Sequence, residues 1–154
     1  MSEDRDFLHA AIDLAIANVA AGGRPFGALV VRDGRVIARG VNEMHVDGDP
    51  TAHAELQAVR AAVKALRAPR LDGCAVYASG QPCPLCFAAM RMLGVTEIVF
   101  AYSNADGAPY GLSTAEIAEE LRKPYDRQQG VAVRHMRPDR PVDALYGAWQ
   151  RRKG

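Results

Sequence analysis

A chain of 154 residues, 49% of them hydrophobic, holds enough apolar side chain for one core of its own, so residues 1–154 are expected to form a single domain. Its 19 Lys and Arg stand against 18 Asp and Glu, and the resulting charge of +1 exerts no global pull toward nucleic acid or an anionic membrane. Three cysteines make no disulfide framework, no apolar run approaches the ~20 residues of a membrane span, and Met1 to Asp6 is acidic and polar rather than a leader, so a cytoplasmic protein is expected.

In chain order, Asp4 to Ala21 sets Phe7, Leu8, Ala11, Ile12, Leu14, Ala15 and Val19 at helical spacing and stops at Gly22-Gly23, which predicts an amphipathic scaffold helix. Phe26 to Val31 and Arg35 to Val41 are β-rich runs on either side of Asp33-Gly34, the sequence of a tight hairpin. The polar stretch Asn42 to Asp49 leads to a second helix, opened by Pro50 or Thr51, with Leu56, Val59, Val63 and Leu66 as its buried stripe and Pro69 as its stop. Cys74 to Ala78 reads as a strand, Leu85 to Leu93 as a helix whose Met90, Met92 and Leu93 enter the core, and Glu97 to Ala101 as a strand. Strand, helix, strand without room for a hairpin implies a parallel crossover. Asn104 to Thr114 is a turn-rich loop, Ala115 to Arg122 a short helix, Val131 to Met136 a last strand, and Asp143 to Arg152 a terminal helix carrying Tyr146 and Trp149 one turn apart. The expected fold is α/β, a three-layer α/β/α arrangement around a mixed five-stranded sheet.

Chemistry concentrates in two short stretches, His53-Ala54-Glu55 and Pro82-Cys83-Pro84-Leu85-Cys86. One imidazole and two thiols with C-x-x-C spacing are ligands that zinc prefers, and a structural zinc site would want a fourth protein ligand that the chain does not offer. Residues two apart on a helix differ by roughly 200° in azimuth, so His53 and Glu55 cannot share a metal lying along the helix side, and the site must sit at the helix start. Cys83 and Cys86, three apart, project within roughly 60° of each other at the start of a second helix, where orphan amides and the positive helix end favour thiolates. The open position is the one a catalytic zinc keeps for water, and Glu55 is placed to move that water's protons. Two rival readings of the cysteines, a redox pair and a structural zinc knot with Cys74, have less behind them. No thioredoxin-like context supports a redox pair, and Cys74 lies a strand length of roughly 16 Å from the Pro-Cys turn, as a buried strand thiol.

At these residues the chain resembles the zinc-dependent cytidine deaminase superfamily, whose signature is H-x-E followed by P-C-x-x-C. Asp49-Pro50-Thr51-Ala52-His53-Ala54-Glu55, the Pro-Cys-Pro-x-Cys form and the early Pro25-Phe26-Gly27-Ala28 are most similar to the bacterial guanine deaminase branch. The resemblance implies a cytidine deaminase-like fold, zinc on His53, Cys83 and Cys86, and Glu55 as the catalytic proton shuttle. It implies substrate binding by Asn42, Phe26 and Ala54: Asn42 supplies an amide to the heterocycle and Phe26 a floor for the ring. The implied reaction is hydrolytic removal of ammonia from an amino-heterocycle, guanine first, with a cytosine, cytidine or other nucleoside deaminase and a tRNA adenosine deaminase as alternatives. A tRNA substrate calls for a basic groove, which the even charge balance does not suggest, so a small molecule and no nucleic acid is the expected partner. The branch exchanges its C-terminal segment between two subunits, so a homodimer is expected. There are two departures from the branch. Gln81 stands where these families often carry Glu. Gly111-Leu112-Ser113-Thr114 stands where guanine deaminases of the branch tend to read Gly-Phe-Asp-Asp, which weakens the expected grip on guanine and admits a triazine-like or pyrimidine-like amine.

Overall fold

The computed structural model describes residues 2–153 and divides them into two compact units, one ending at Glu119 and one beginning at Glu120. The first unit is built on a four-stranded sheet. Its elements run α1 (Ser2–Ala20), β1 (Gly27–Arg32), β2 (Arg35–Val41), α2 (Met44–Asp47), α3 (Ala54–Leu66), β3 (Ala75–Gly80), α4 (Pro84–Met92), β4 (Glu97–Tyr102) and α5 (Asn104–Gly107), and α6 (Ala115–Glu120) ends at the boundary between the units. The sheet order is β2-β1-β3-β4; β1 pairs antiparallel with both β2 and β3, while β3 and β4 are parallel across the α4 connection.

The hairpin forms where Asp33-Gly34 places it. Both residues take positive φ, 52° and 74°, as a two-residue turn of the I′ kind requires, and Gly34 adopts that region at no steric cost. β1 is buried on both faces, and its alternation sorts the core into two layers. Leu29 and Val31 face α1 together with Ala11 and Tyr77, while Ala28 and Val30 face the layer built by Ala54, Ala58, Val59, Ala62, Cys86 and Met90. The architecture is therefore α/β/α, as expected.

The sheet has four strands rather than the expected five. Val131 to Met136 forms no strand: Val131, Val133 and Met136 are exposed, and the elements described in the second unit are two 3-10 turns and the terminal helix α7 (Tyr146–Lys153). Periodicity in the sequence marks a segment that can pair, but a strand exists only where another backbone accepts its hydrogen bonds.

Three further expectations need correcting. α3 starts at Ala54, with His53 as its N-cap, and not at Pro50 or Thr51, because Asp49 folds its carboxylate back on Thr51 N–H at 2.8 Å and Thr51 Oγ1 at 2.7 Å and holds a turn there. Met92 is 79% exposed, outside the core that Met90 enters. Val19 is exposed too, and Asn18 takes the buried position in the last turn of α1.

Candidate metal centre and substrate pocket

Two helix starts meet beside the sheet. His53 is the N-cap of α3 and Cys83 the N-cap of α4, both with extended backbone and neither using its side chain as a cap. An N-cap side chain normally turns back to satisfy its own helix's amides. Here the two side chains approach each other, and Pro84 fills the first position of α4, where a missing N–H costs the helix nothing. The Sγ atoms of Cys83 and Cys86 each lie 3.4 Å from His53 Nδ1, so Nδ1 is the ring nitrogen turned to both sulfurs. The three ligand atoms all fall within 4.8 Å of one another. The ligand-to-ligand edge of a tetrahedral zinc site with these donors is about 3.6 Å, so the cluster fits the ion. Cys74 stands outside it, buried ahead of β3.

The electrostatics of the cluster are those of groups crowded around a shared charge. The Cys83 thiol is held down to about 5, chiefly by a hydrogen bond from Cys86 and further by His53; Cys86 is pushed up, by the same pairing and by burial. A single negative charge therefore rests first on Cys83, and a divalent cation would stabilise a second on Cys86. Glu55, in the first turn of α3, is only 7% exposed. Burial pushes its carboxyl up to about 6, and the charge on Cys83 adds to the rise.

Every substrate residue named from the sequence lines one cavity of about 250 Å³ with this cluster: Phe26, Asn42 and Ala54, beside His53, Glu55 and Cys83. Asn42 is buried, and its Oδ1 accepts from Met44 N–H at 3.1 Å, which leaves the amide nitrogen, touching only the Met44 sulfur at 3.5 Å, as the group offered to a ring acceptor. Phe26 lies against the end of β3, where Gly80 has no Cβ to displace its ring. Two lining residues escaped the sequence reading of the site, Arg24 and Met44, while Gln81 and Leu112, noted there as departures from the branch, line the cavity as well. Arg24 adjoins Pro25-Phe26 and places its guanidinium 6.0 Å from the Phe26 ring centre. Thr114, from the turn-rich loop, also lines the cavity. Its loop is tied to the Pro-Cys turn because Gln81 Oε1 accepts from Asn104 N–H at 2.8 Å, and Asn104 Oδ1 accepts from Thr114 N–H at 3.2 Å. His45 is exposed and does not line the cavity.

Residues 1–102 match the family model for the cytidine and deoxycytidylate deaminase zinc-binding region. The chain belongs to this family. It is 39% identical over 138 residues to a guanine deaminase of Bacillus subtilis, an alignment covering 86% of this chain and 88% of that protein. An X-ray structure of guanine deaminase from Bacillus subtilis superposes with a TM-score of 0.83 at 35% identity, covering 97% of this chain and 94% of that one. A tRNA-specific adenosine deaminase of the same organism is 32% identical over 120 residues, 78% of this chain and 74% of that protein. The family makes this chain a zinc-dependent hydrolase of C–N bonds, and the His-Cys-Cys cluster has the donors the ion requires. Among the described residues, no helix is long and apolar enough to cross a membrane.

Proposed function

We propose that this protein deaminates a free purine base, guanine to xanthine with release of ammonia, in the manner of the guanine deaminases it resembles. One observation carries the reading: a carboxylate, the His53 and Cys83 members of a His-Cys-Cys cluster, an aromatic ring and a side-chain amide line the same small cavity, in a chain 39% identical to a guanine deaminase over most of its length. His53, Cys83 and Cys86 hold the zinc. When bound, the ion supplies Lewis acidity, which makes water a competent nucleophile near neutral pH. Glu55 takes a proton from the attacking water and returns protons to a ring nitrogen and to the departing amine, and a carboxyl lifted to about 6 suits both directions of transfer. Asn42 donates its amide hydrogens to an acceptor on the ring, Phe26 packs against the ring's face, and Ala54, fully buried between His53 and Glu55, keeps the wall there flat.

The test is ammonia release by zinc-loaded protein over guanine, cytosine, cytidine, adenosine and tRNA. The proposal expects guanine to give the largest kcat/KM of the set. Thr114, where the branch tends to place a carboxylate, offers the ring's N–H donors a weaker acceptor, so that value should fall below 10⁴ M⁻¹s⁻¹, near the lower end of the ordinary enzyme range of roughly 10⁴ to 10⁸ M⁻¹s⁻¹. Turnover confined to cytosine or cytidine, or to tRNA, would replace guanine with the corresponding alternative.

We also propose a homodimer in the cytoplasm, with the C-terminal segment seated on a second copy. In the second unit Val131, Val133, Met136, Leu145, Tyr146 and Trp149 are all exposed, an apolar set that gains stability by being covered. In the first unit β4 is an edge strand with one unpaired side. Light scattering should give twice the chain mass; a fully active monomer at working concentration would end the idea.

A further inference from the structure

Phe26 and Asn42 sit side by side at the open end of the β1–β2 hairpin, just beyond the Gly27–Val41 pair, and their main chains are held by a closed circuit of hydrogen bonds. Asn42 N–H donates to the Phe26 carbonyl at 3.2 Å, and Phe26 N–H donates to the Arg24 carbonyl at 2.8 Å. The circuit is completed from α1. Asn18 Nδ2 donates to the Arg24 carbonyl at 2.8 Å and to the Asn42 carbonyl at 2.9 Å, using both hydrogens of its amide. Asn18 is 6% exposed, and a polar side chain at a buried helix position is costly unless its donors are met. Here both are met, and both by residues of the substrate cavity.

We propose that Asn18 is a positioning residue for the substrate pocket. By pinning Arg24 and Asn42 to the same amide it fixes the spacing between the Phe26 ring and the Asn42 side chain, the two groups that orient the heterocycle. The inference rests on the reading of Phe26 and Asn42 as substrate-binding. Asn42 is held from three sides: its N–H by Phe26, its carbonyl by Asn18 and its Oδ1 by Met44. Removing the Asn18 donors breaks the hydrogen bond that links Asn42 to α1.

The experiment compares the zinc-loaded Asn18→Leu variant, similar in shape but without donors, with wild type on guanine, or on whichever base the ammonia screen finds to be turned over. KM should rise roughly tenfold, the cost of a displaced hydrogen-bonding wall, with kcat per zinc-loaded chain and zinc content unchanged. Gly23→Ala gives an independent route. A Cβ there would lie 2.5 Å from Asn18 Nδ2 and against the exposed His45 ring, too close for both to stay in place, so it displaces the amide without deleting it and should raise KM in the same way. Folded variants with wild-type KM would overturn the proposal, and so would loss of soluble protein in both, since Asn18 would then serve the fold alone. Asn42→Ala in the same assay separates the layers of the argument. If it leaves KM unchanged, the pocket reading fails; if it raises KM while Asn18→Leu does not, only the positioning role fails.

Discussion

Glu55→Gln removes turnover while the protein keeps its zinc. The substitution preserves the size of a side chain that is only 7% exposed and removes its capacity to accept and then donate a proton. Loss of a general acid–base group typically costs 10² to 10⁴-fold in rate, and here one carboxyl serves more than one transfer, so the upper end of that range is expected in kcat. Metal analysis on the same preparation should still find one zinc per chain, because Glu55 is not part of the His53, Cys83 and Cys86 cluster. Near-normal turnover in a folded, zinc-loaded Glu55→Gln protein would show that another group moves the protons.

Cys86→Ser loses both the metal and the activity. Cys86 is fully buried, its sulfur is 3.4 Å from His53 Nδ1, and no fourth Cys or His joins the cluster among the described residues. Two remaining ligands do not hold zinc against dilution, so zinc content should fall well below one per chain and ammonia release should vanish with it. The melting temperature should fall as well, since an ion that binds only the folded chain stabilises it by mass action. Full zinc occupancy in Cys86→Ser would mean that the ion sits elsewhere.

Much of this centre could be read from the sequence because its determinants are local. His-x-Glu forces a metal to the helix start by azimuth alone, and the structure puts His53 at the cap of α3 and Glu55 in its first turn. Cys83 and Cys86 opened a helix in the sequence reading and do so in the fold. The errors fall where structure is decided by partners instead. Val131 to Met136 alternates as a strand does, but nothing in its own unit pairs with it. Met92 and Val19 sit at apolar spacing yet face outward, because periodicity marks a stripe without fixing its width. Arg24 and Asn18 were missed for a related reason. Each reaches the pocket through main-chain carbonyls or a loop crossing, and an Asn in the last turn of an apolar helix carries no motif. Its one available signal was its place among the apolar positions: a polar residue on the buried face of a scaffold helix has something to bond.

The central claim, hydrolytic deamination of a purine base at this zinc centre, is tested most directly by turnover of guanine in ¹⁸O-labelled water with ammonia measured in parallel. The account predicts one solvent oxygen in each xanthine and one ammonia per turnover, both absent from the Glu55→Gln control. Zinc-loaded, folded protein that releases no ammonia from guanine would contradict it.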